Sequence, residues 1–126
     1  MNHVQQDIVK FHQAMQHTCH RQPKLADAAL RNLRIRLIEE ETEETITALL
    51  ENDMEGIADG IVDSIVVLVG TACAYGINLD AIWKEVMRAN MDKIGGPKRE
   101  DGKQLKPEGW RPPDIKGCLN VQEDLF

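Results

Sequence analysis

Apolar residues recur at helical spacing along most of the chain. Val4, Ile8, Phe11 and Met15 mark a first amphipathic helix with these residues as its apolar face, and Pro23 follows soon after the pattern stops. A second pattern starts at Asp27, a suitable N-cap, and carries Leu30, Leu33, Leu37, Ala48 and Leu49 towards Asn52. From Glu55 to Tyr75 nearly every residue is small or branched and apolar. At that length a helix is expected over a strand, and because its apolar residues point all round, a central helix. Gly76 fits a C-cap, and Asn78 or Asp80 can cap a fourth helix that runs through Ile82, Val86 and Met87 to about Asp92. After Ile94 the chain turns to Gly, Pro and Lys, which reads as an extended loop segment. The expected fold is all-α: a four-helix antiparallel bundle whose small core is completed by oligomerisation.

With 126 residues, 42% hydrophobic and 29% charged, the chain has the size and composition of one folded domain. Its net charge of −6 argues against direct nucleic-acid binding, which requires a basic footprint. No apolar run is read as reaching the roughly 18 residues of a membrane span, and the N-terminus lacks a signal pattern, so a cytoplasmic protein is expected. Cys19, Cys73 and Cys118 are odd in number and outside any CxxC, and read as reduced thiols. Charge is unevenly placed: Leu37 to Trp83 contains no Lys or Arg, while the last third is rich in both.

The acidic stretch carries the candidate chemistry. At about 100° per residue, Glu40, Glu41 and Glu44 fall on the stripe of Leu30, Leu33, Leu37 and Ala48, whereas Glu39 and Glu43 point elsewhere. Three like charges on a buried face are costly without cations. Asp59 and Asp63 stand one turn apart on the next helix, with Gly56, Gly60 and Gly70 near that face to permit close approach. Such an oxygen-only set suits a hard divalent ion, Mg2+ above all, and no EF-hand loop argues for Ca2+. An acidic cage with a basic rim fits hydrolysis of a polyphosphate, with Arg88, Lys93, Lys98, Arg99, Lys103, Lys106 and Arg111 available to the outer phosphates.

Glu40-Glu41-Thr42-Glu43-Glu44 resembles the EExxE motif of the all-α NTP pyrophosphohydrolases, the superfamily of MazG-like proteins, dimeric dUTPases and phosphoribosyl-ATP pyrophosphohydrolases. Arg88-Ala89-Asn90-Met91-Asp92-Lys93 and the stretch from Asp101 to Asp114 resemble the small bacterial and phage MazG-like branch related to dimeric dUTPases. The resemblance runs from about Phe11 to Gly117, giving a domain over residues 1–117 and a tail over 118–126. It implies cleavage of a nucleoside triphosphate to monophosphate and pyrophosphate in a homodimer or homotetramer. It further implies Mg2+, or Mn2+ as substitute, at two or three ions per site. By resemblance Glu40, Glu41, Glu44 and Asp63 are metal ligands and catalytic residues, and Asn90 and Lys93 contact substrate, with Arg88, Lys103, Lys106, Trp110 and Arg111 as further substrate-binding candidates. Gly60 departs from the pattern, standing where ExxD has its glutamate; Asp59 is the nearest replacement. The expected substrate is a deoxynucleotide such as dUTP, dCTP or dGTP. The alternatives are a phosphoribosyl-ATP pyrophosphohydrolase, disfavoured because that likeness is confined to the acidic core, and a non-catalytic nucleotide-binding bundle.

His12, His17, Cys19 and His20 match no zinc spacing and read as surface residues, and Trp83 reads as a packing residue. Ile35 and Ile46 lie opposite the leucine stripe and predict a partner subunit. The terminal Gln122-Glu123-Asp124-Leu125-Phe126 resembles the peptide by which bacterial proteins bind the replicative sliding clamp, with Gln122, Leu125 and Phe126 as anchors. The alternative is that Leu125 and Phe126 pack on their own subunit. For a viral chain the compartment would be the bacterial host cytoplasm.

Overall fold

A computed structural model describes residues 3–126 and is helical, with no strand among them. Five helices follow one another: α1 (His3–Ala14), α2 (Ala28–Leu50), α3 (Met54–Ala74), α4 (Leu79–Met91) and α5 (Ile115–Val121). The fold is all-α as expected, with one helix more than the four anticipated. Seven residues of α5 offered too short a pattern to read; Asp114 caps it by accepting from the Gly117 amide. α5 also runs across the 117/118 boundary expected for a tail.

The helix ends follow local chemistry. Asp27 accepts from the Leu30 amide at 2.8 Å and starts α2. Asp53 does the same for α3 through the Gly56 amide, and Asn78 for α4 through the Asp80 amide. Gly76 follows α3 with φ +68, and a Cβ there would strike the carbonyl oxygen of Gln22, so only glycine fits this C-terminal turn.

The chain divides into two compact units, one reaching to Ile77 and including Asp124–Phe126, the other covering Asn78–Glu123. In the first unit α3 packs along α2 and against α1. Its core joins Ile8, Val9, Cys73 and Leu125, with Cys19, Val66 and Val69 packed against them. α1 therefore buries Gln5, Ile8, Val9 and His12, not the expected Val4, Phe11 and Met15, which are exposed. The decisive contacts are polar: Gln5 Nε2 donates to the Ile77 carbonyl at 2.8 Å, and His12 Nδ1 lies 3.0 Å from the Thr18 carbonyl. His12 is thus a core residue and not a surface one.

α3 is central only in part. Gly70, Ala72, Cys73 and Ala74 are buried, but Ile61, Val62, Ile65 and Leu68 are exposed. Contrary to the sequence expectation, α3 is long and apolar enough to cross a membrane by length and composition. An 18-residue stretch that leaves out Glu55 holds only Asp59 and Asp63 as charges, and the apolar residues around them outweigh both; a core helix of a soluble protein passes the same test. Trp83 is 65% exposed on α4, so it does not pack as expected. In the second unit Lys98 and Gln104 form an isolated antiparallel bridge within the extended segment.

Candidate active site

The acidic residues come together where α2 meets α3. Thr45, one turn after Glu41, donates from Oγ1 to the Glu41 carbonyl at 2.7 Å and lies 3.1 Å from Ser64 Oγ. Ser64 reaches the same carbonyl at 3.5 Å, which ties the Glu41 turn of α2 to the Asp63 turn of α3. Neither Thr45 nor Ser64 was singled out by sequence; their positions one turn from Glu41 and next to Asp63 were the available signal.

Glu41 occupies the centre of this junction. Its Oε2 is buried and has no hydrogen-bond partner. Burial pushes its pKa up, and the charges of Glu44, Asp63 and Glu40 push it further in the same direction. Glu41 therefore lies within electrostatic reach of Glu40 and Glu44 on its own helix and of Asp63 on α3. They differ in environment: Glu41 and Asp63 are half-buried, whereas Glu40 and Glu44 are exposed. The expectation of three buried charges is corrected to one, because α3 covers only the central line of the α2 stripe.

Beside this junction lies an open cavity of about 470 Å3 lined by Glu40, Glu43, Glu44, Glu51, Asp53 and Asp59, with Thr47, Ala48, Gly56 and Gly60. Glu43 faces it with Glu40 and Glu44, against the expectation that it points elsewhere; a wide groove collects a broader arc of the helix than the buried stripe does. Asp59 is exposed on the rim. Among the described residues no three His, Cys, Asp or Glu side chains stand in a finished coordination cage. The residues nevertheless fit a hard cation, since a buried carboxylate oxygen without a donor, flanked by further carboxylates, lacks the positive partner that such an ion supplies.

The expected substrate-binding residues belong to the second unit. Asn90 Oδ1 accepts from Lys93 Nζ at 3.0 Å. Lys93 and Lys106 lie over the Trp110 ring at 5.3 and 5.0 Å, and Trp110 Nε1 donates to the Ala89 carbonyl at 2.6 Å. Asn90, Lys93, Lys106 and Trp110 thus form one group. Arg88 is committed elsewhere, to Glu85 at 2.5 Å, to Asp92 at 2.9 Å and to the carbonyls of Arg111 and Pro112. Lys103 and Arg111 are exposed and outside that group.

The family model for phosphoribosyl-ATP pyrophosphohydrolases matches residues 8–90, that is, 83 of the 126. The chain belongs to that family. The match runs from Ile8 within α1 to Asn90 near the end of α4 and takes in the whole acidic junction, which corrects the expectation that this likeness is confined to the acidic core. The family lies within the all-α MazG-like NTP pyrophosphohydrolase superfamily, so the chain is a hydrolase acting on phosphoric anhydrides. Its members typically depend on divalent metals. No curated protein sequence matches the chain.

The tail is engaged in its own subunit. Leu125 is only 3% exposed, its amide donates to the Arg21 carbonyl at 2.9 Å, and the Arg21 guanidinium lies 5.1 Å from the Phe126 ring centre. Gln22 bonds Asp124, and Gln122 Oε1 accepts from the Asn78 amide at 3.1 Å. Docking into a sliding clamp would require Leu125 to leave the core.

Proposed function

We propose that the protein cleaves the α–β phosphoanhydride of a nucleoside triphosphate, releasing pyrophosphate and a nucleoside monophosphate. The observation that carries this reading is the unpartnered, buried Oε2 of Glu41 among Glu40, Glu44 and Asp63, inside the family-matched segment. Glu40, Glu41, Glu44 and Asp63 would hold Mg2+, or Mn2+ in its place, as two or three ions, with Asp59 as an auxiliary acid. Such ions neutralise phosphate oxygens and lower the pKa of a bound water. The chain itself supplies the fixed carboxylates and, in exposed Glu44 or Glu40, a base to take the proton of the attacking water. Asn90, Lys93, Lys103, Lys106, Trp110 and Arg111 are assigned to substrate binding, Lys93 and Lys106 through charge and Trp110 through its ring. Arg88, with its bonds already made, serves that region as a tie.

The family match makes phosphoribosyl-ATP the first substrate to test. A deoxynucleoside triphosphate is the second. It is favoured by the Asn90–Lys93–Lys106–Trp110 group, most of which lies beyond the matched residues, in the segment that resembles the deoxynucleotide branch. Pyrophosphate release from phosphoribosyl-ATP and from each ribo- and deoxynucleoside triphosphate, with Mg2+ or Mn2+, decides between them. Absence of turnover on every one would overturn the enzymatic reading and leave a nucleotide-binding bundle. Soluble nucleotide substrates imply a cytoplasmic site of action, the assembly would be a homodimer or homotetramer, and the tail remains a proposed clamp ligand.

A further inference from the structure

A second cavity of about 420 Å3 lies further towards the N-terminus of α2, between α1 and α2, lined by Leu30, Leu33, Leu37, Arg34, His12 and Thr18 among others. It is more apolar than the acidic groove, and its volume is in the range of small-molecule sites. Its unusual member is Arg34, a guanidinium only 6% exposed. Arg34 Nε donates to Thr71 Oγ1 at 3.0 Å and Nη2 to the Val67 carbonyl at 2.8 Å. These bonds tie α2 to α3 but leave Nη1 and one N–H of Nη2 uncommitted, and among the described residues no carboxylate pairs with the charge. Gly70 makes room for it, since a Cβ there would come within 2.6 Å of Nη2 and 2.8 Å of His12 Nε2. No Arg34 nitrogen is both buried and unbonded, so its remaining N–H groups keep contact with solvent, and a mostly buried guanidinium at a cavity wall has donors ready for a ligand.

The position along α2 indicates which ligand. Arg34 and Glu41 are seven residues apart, two helical turns or about 10 Å, and Leu37 stands halfway between them. A nucleotide whose phosphates lie at Glu41 would bring its base to this cavity. We infer that the cavity holds the substrate's base against Leu30, Leu33 and Leu37, and that Arg34 is a specificity-determining residue that donates to adjacent ring acceptors. The inference deepens the proposed nucleotide hydrolysis and rests on it. A donor-only guanidinium selects an oxo base such as guanine, which offers O6 beside N7, over adenine, which offers an amino group at that place, and so favours the second of the two proposed substrates, a deoxynucleoside triphosphate, in its guanine form.

The test is a titration of the intact protein in Mg2+ with GMP, AMP, CMP, UMP and inorganic phosphate, followed by amide chemical shifts. GMP is expected to shift the amides of Thr18, Leu33 and Leu37 and to bind about tenfold or more tighter than AMP. Leu33→Trp, at a half-exposed position where the larger ring can enter the cavity without disturbing the core, should abolish those shifts. Arg34→Lys, if folded, should narrow the preference for GMP over AMP, because a single ammonium cannot make the fork. No shift of those amides with GMP, AMP binding as tightly as GMP, the same shifts with inorganic phosphate, or undiminished binding in Leu33→Trp would each overturn the inference. Pyrophosphate release read in parallel separates the two claims: selective GMP binding without hydrolysis of any triphosphate keeps the base site and removes the enzyme. Turnover with no base preference does the reverse.

Discussion

Gly60 on α3 lies directly against Thr45 on α2: a Cβ at residue 60 would come within 2.6 Å of Thr45 Oγ1 and 3.0 Å of its Cα. The same Thr45 hydroxyl bonds the Glu41 carbonyl, so the missing glutamate of the ExxD pattern is the condition for the close helix contact that seats Glu41. Gly60→Ala is expected to cost about 1–3 kcal/mol through overpacking, read as a lowered midpoint in urea unfolding. Gly60→Glu should lower both stability and activity. A Gly60→Glu variant as active and as stable as the parent would show that the helices can part at no cost.

Glu41→Gln removes the central charge of the acidic junction. Without metal it should raise Tm, since burial and the neighbouring carboxylates disfavour the ionised form. With saturating Mg2+ it should reduce kcat by about a hundredfold or more on the proposed role of Glu41 as a ligand that orders the reacting groups. Calorimetry with and without Mg2+, beside initial rates, reads both effects, and full activity in the variant would remove Glu41 from the site.

His12 supplies a pH dependence. Burial, together with the charge of Arg34 and neighbouring His17, lowers its pKa below 6.5, against the opposing bond to the Thr18 carbonyl. The unfolded chain therefore takes up the proton first as pH falls. The stability associated with neutral His12 is complete above pH 6.5 and is lost as pH drops through its lowered folded value. Urea unfolding between pH 7.5 and 5 should show this slope, and His12→Gln should flatten it.

Ile61, Val62, Ile65 and Leu68 expose an apolar face of α3, as Ile35 and Ile46 do on α2. So much apolar surface at helical spacing is expected to be covered by another subunit. Light scattering at micromolar concentration should give a dimer or tetramer, and Leu68→Glu should shift the mass towards the monomer. A parent chain that runs as a monomer would reject the idea.

Leu125 packs with Ile8, Val9 and Cys73, so Leu125→Ala should destabilise the fold by about 2–4 kcal/mol in thermal or urea unfolding. A free peptide of residues 121–126 should bind a bacterial sliding clamp more tightly than the whole chain does, because the chain must first give up that packing. Equal affinity would mean that the tail leaves the core at no cost.

Helix ends and the identity of the acidic set were legible in the sequence because both depend on near neighbours. Asp27, Asn78 and Gly76 act within one turn, and the spacing of Glu40, Glu41 and Glu44 fixes a shared side of α2 whatever surrounds it. Periodicity names a face but not what covers it. The tertiary structure decided that Glu41, of the three glutamates, is the one partly covered and has its Oε2 buried, that Glu43 turns to the groove, and that α1 presents Gln5 and His12 inward in preference to Phe11. It decided the burial of Arg34 under α3 and of Leu125 against α1 in the same way. Each of these depends on contacts between residues dozens of positions apart, whose burial and hydrogen bonds outweigh the local preference of a side chain for water.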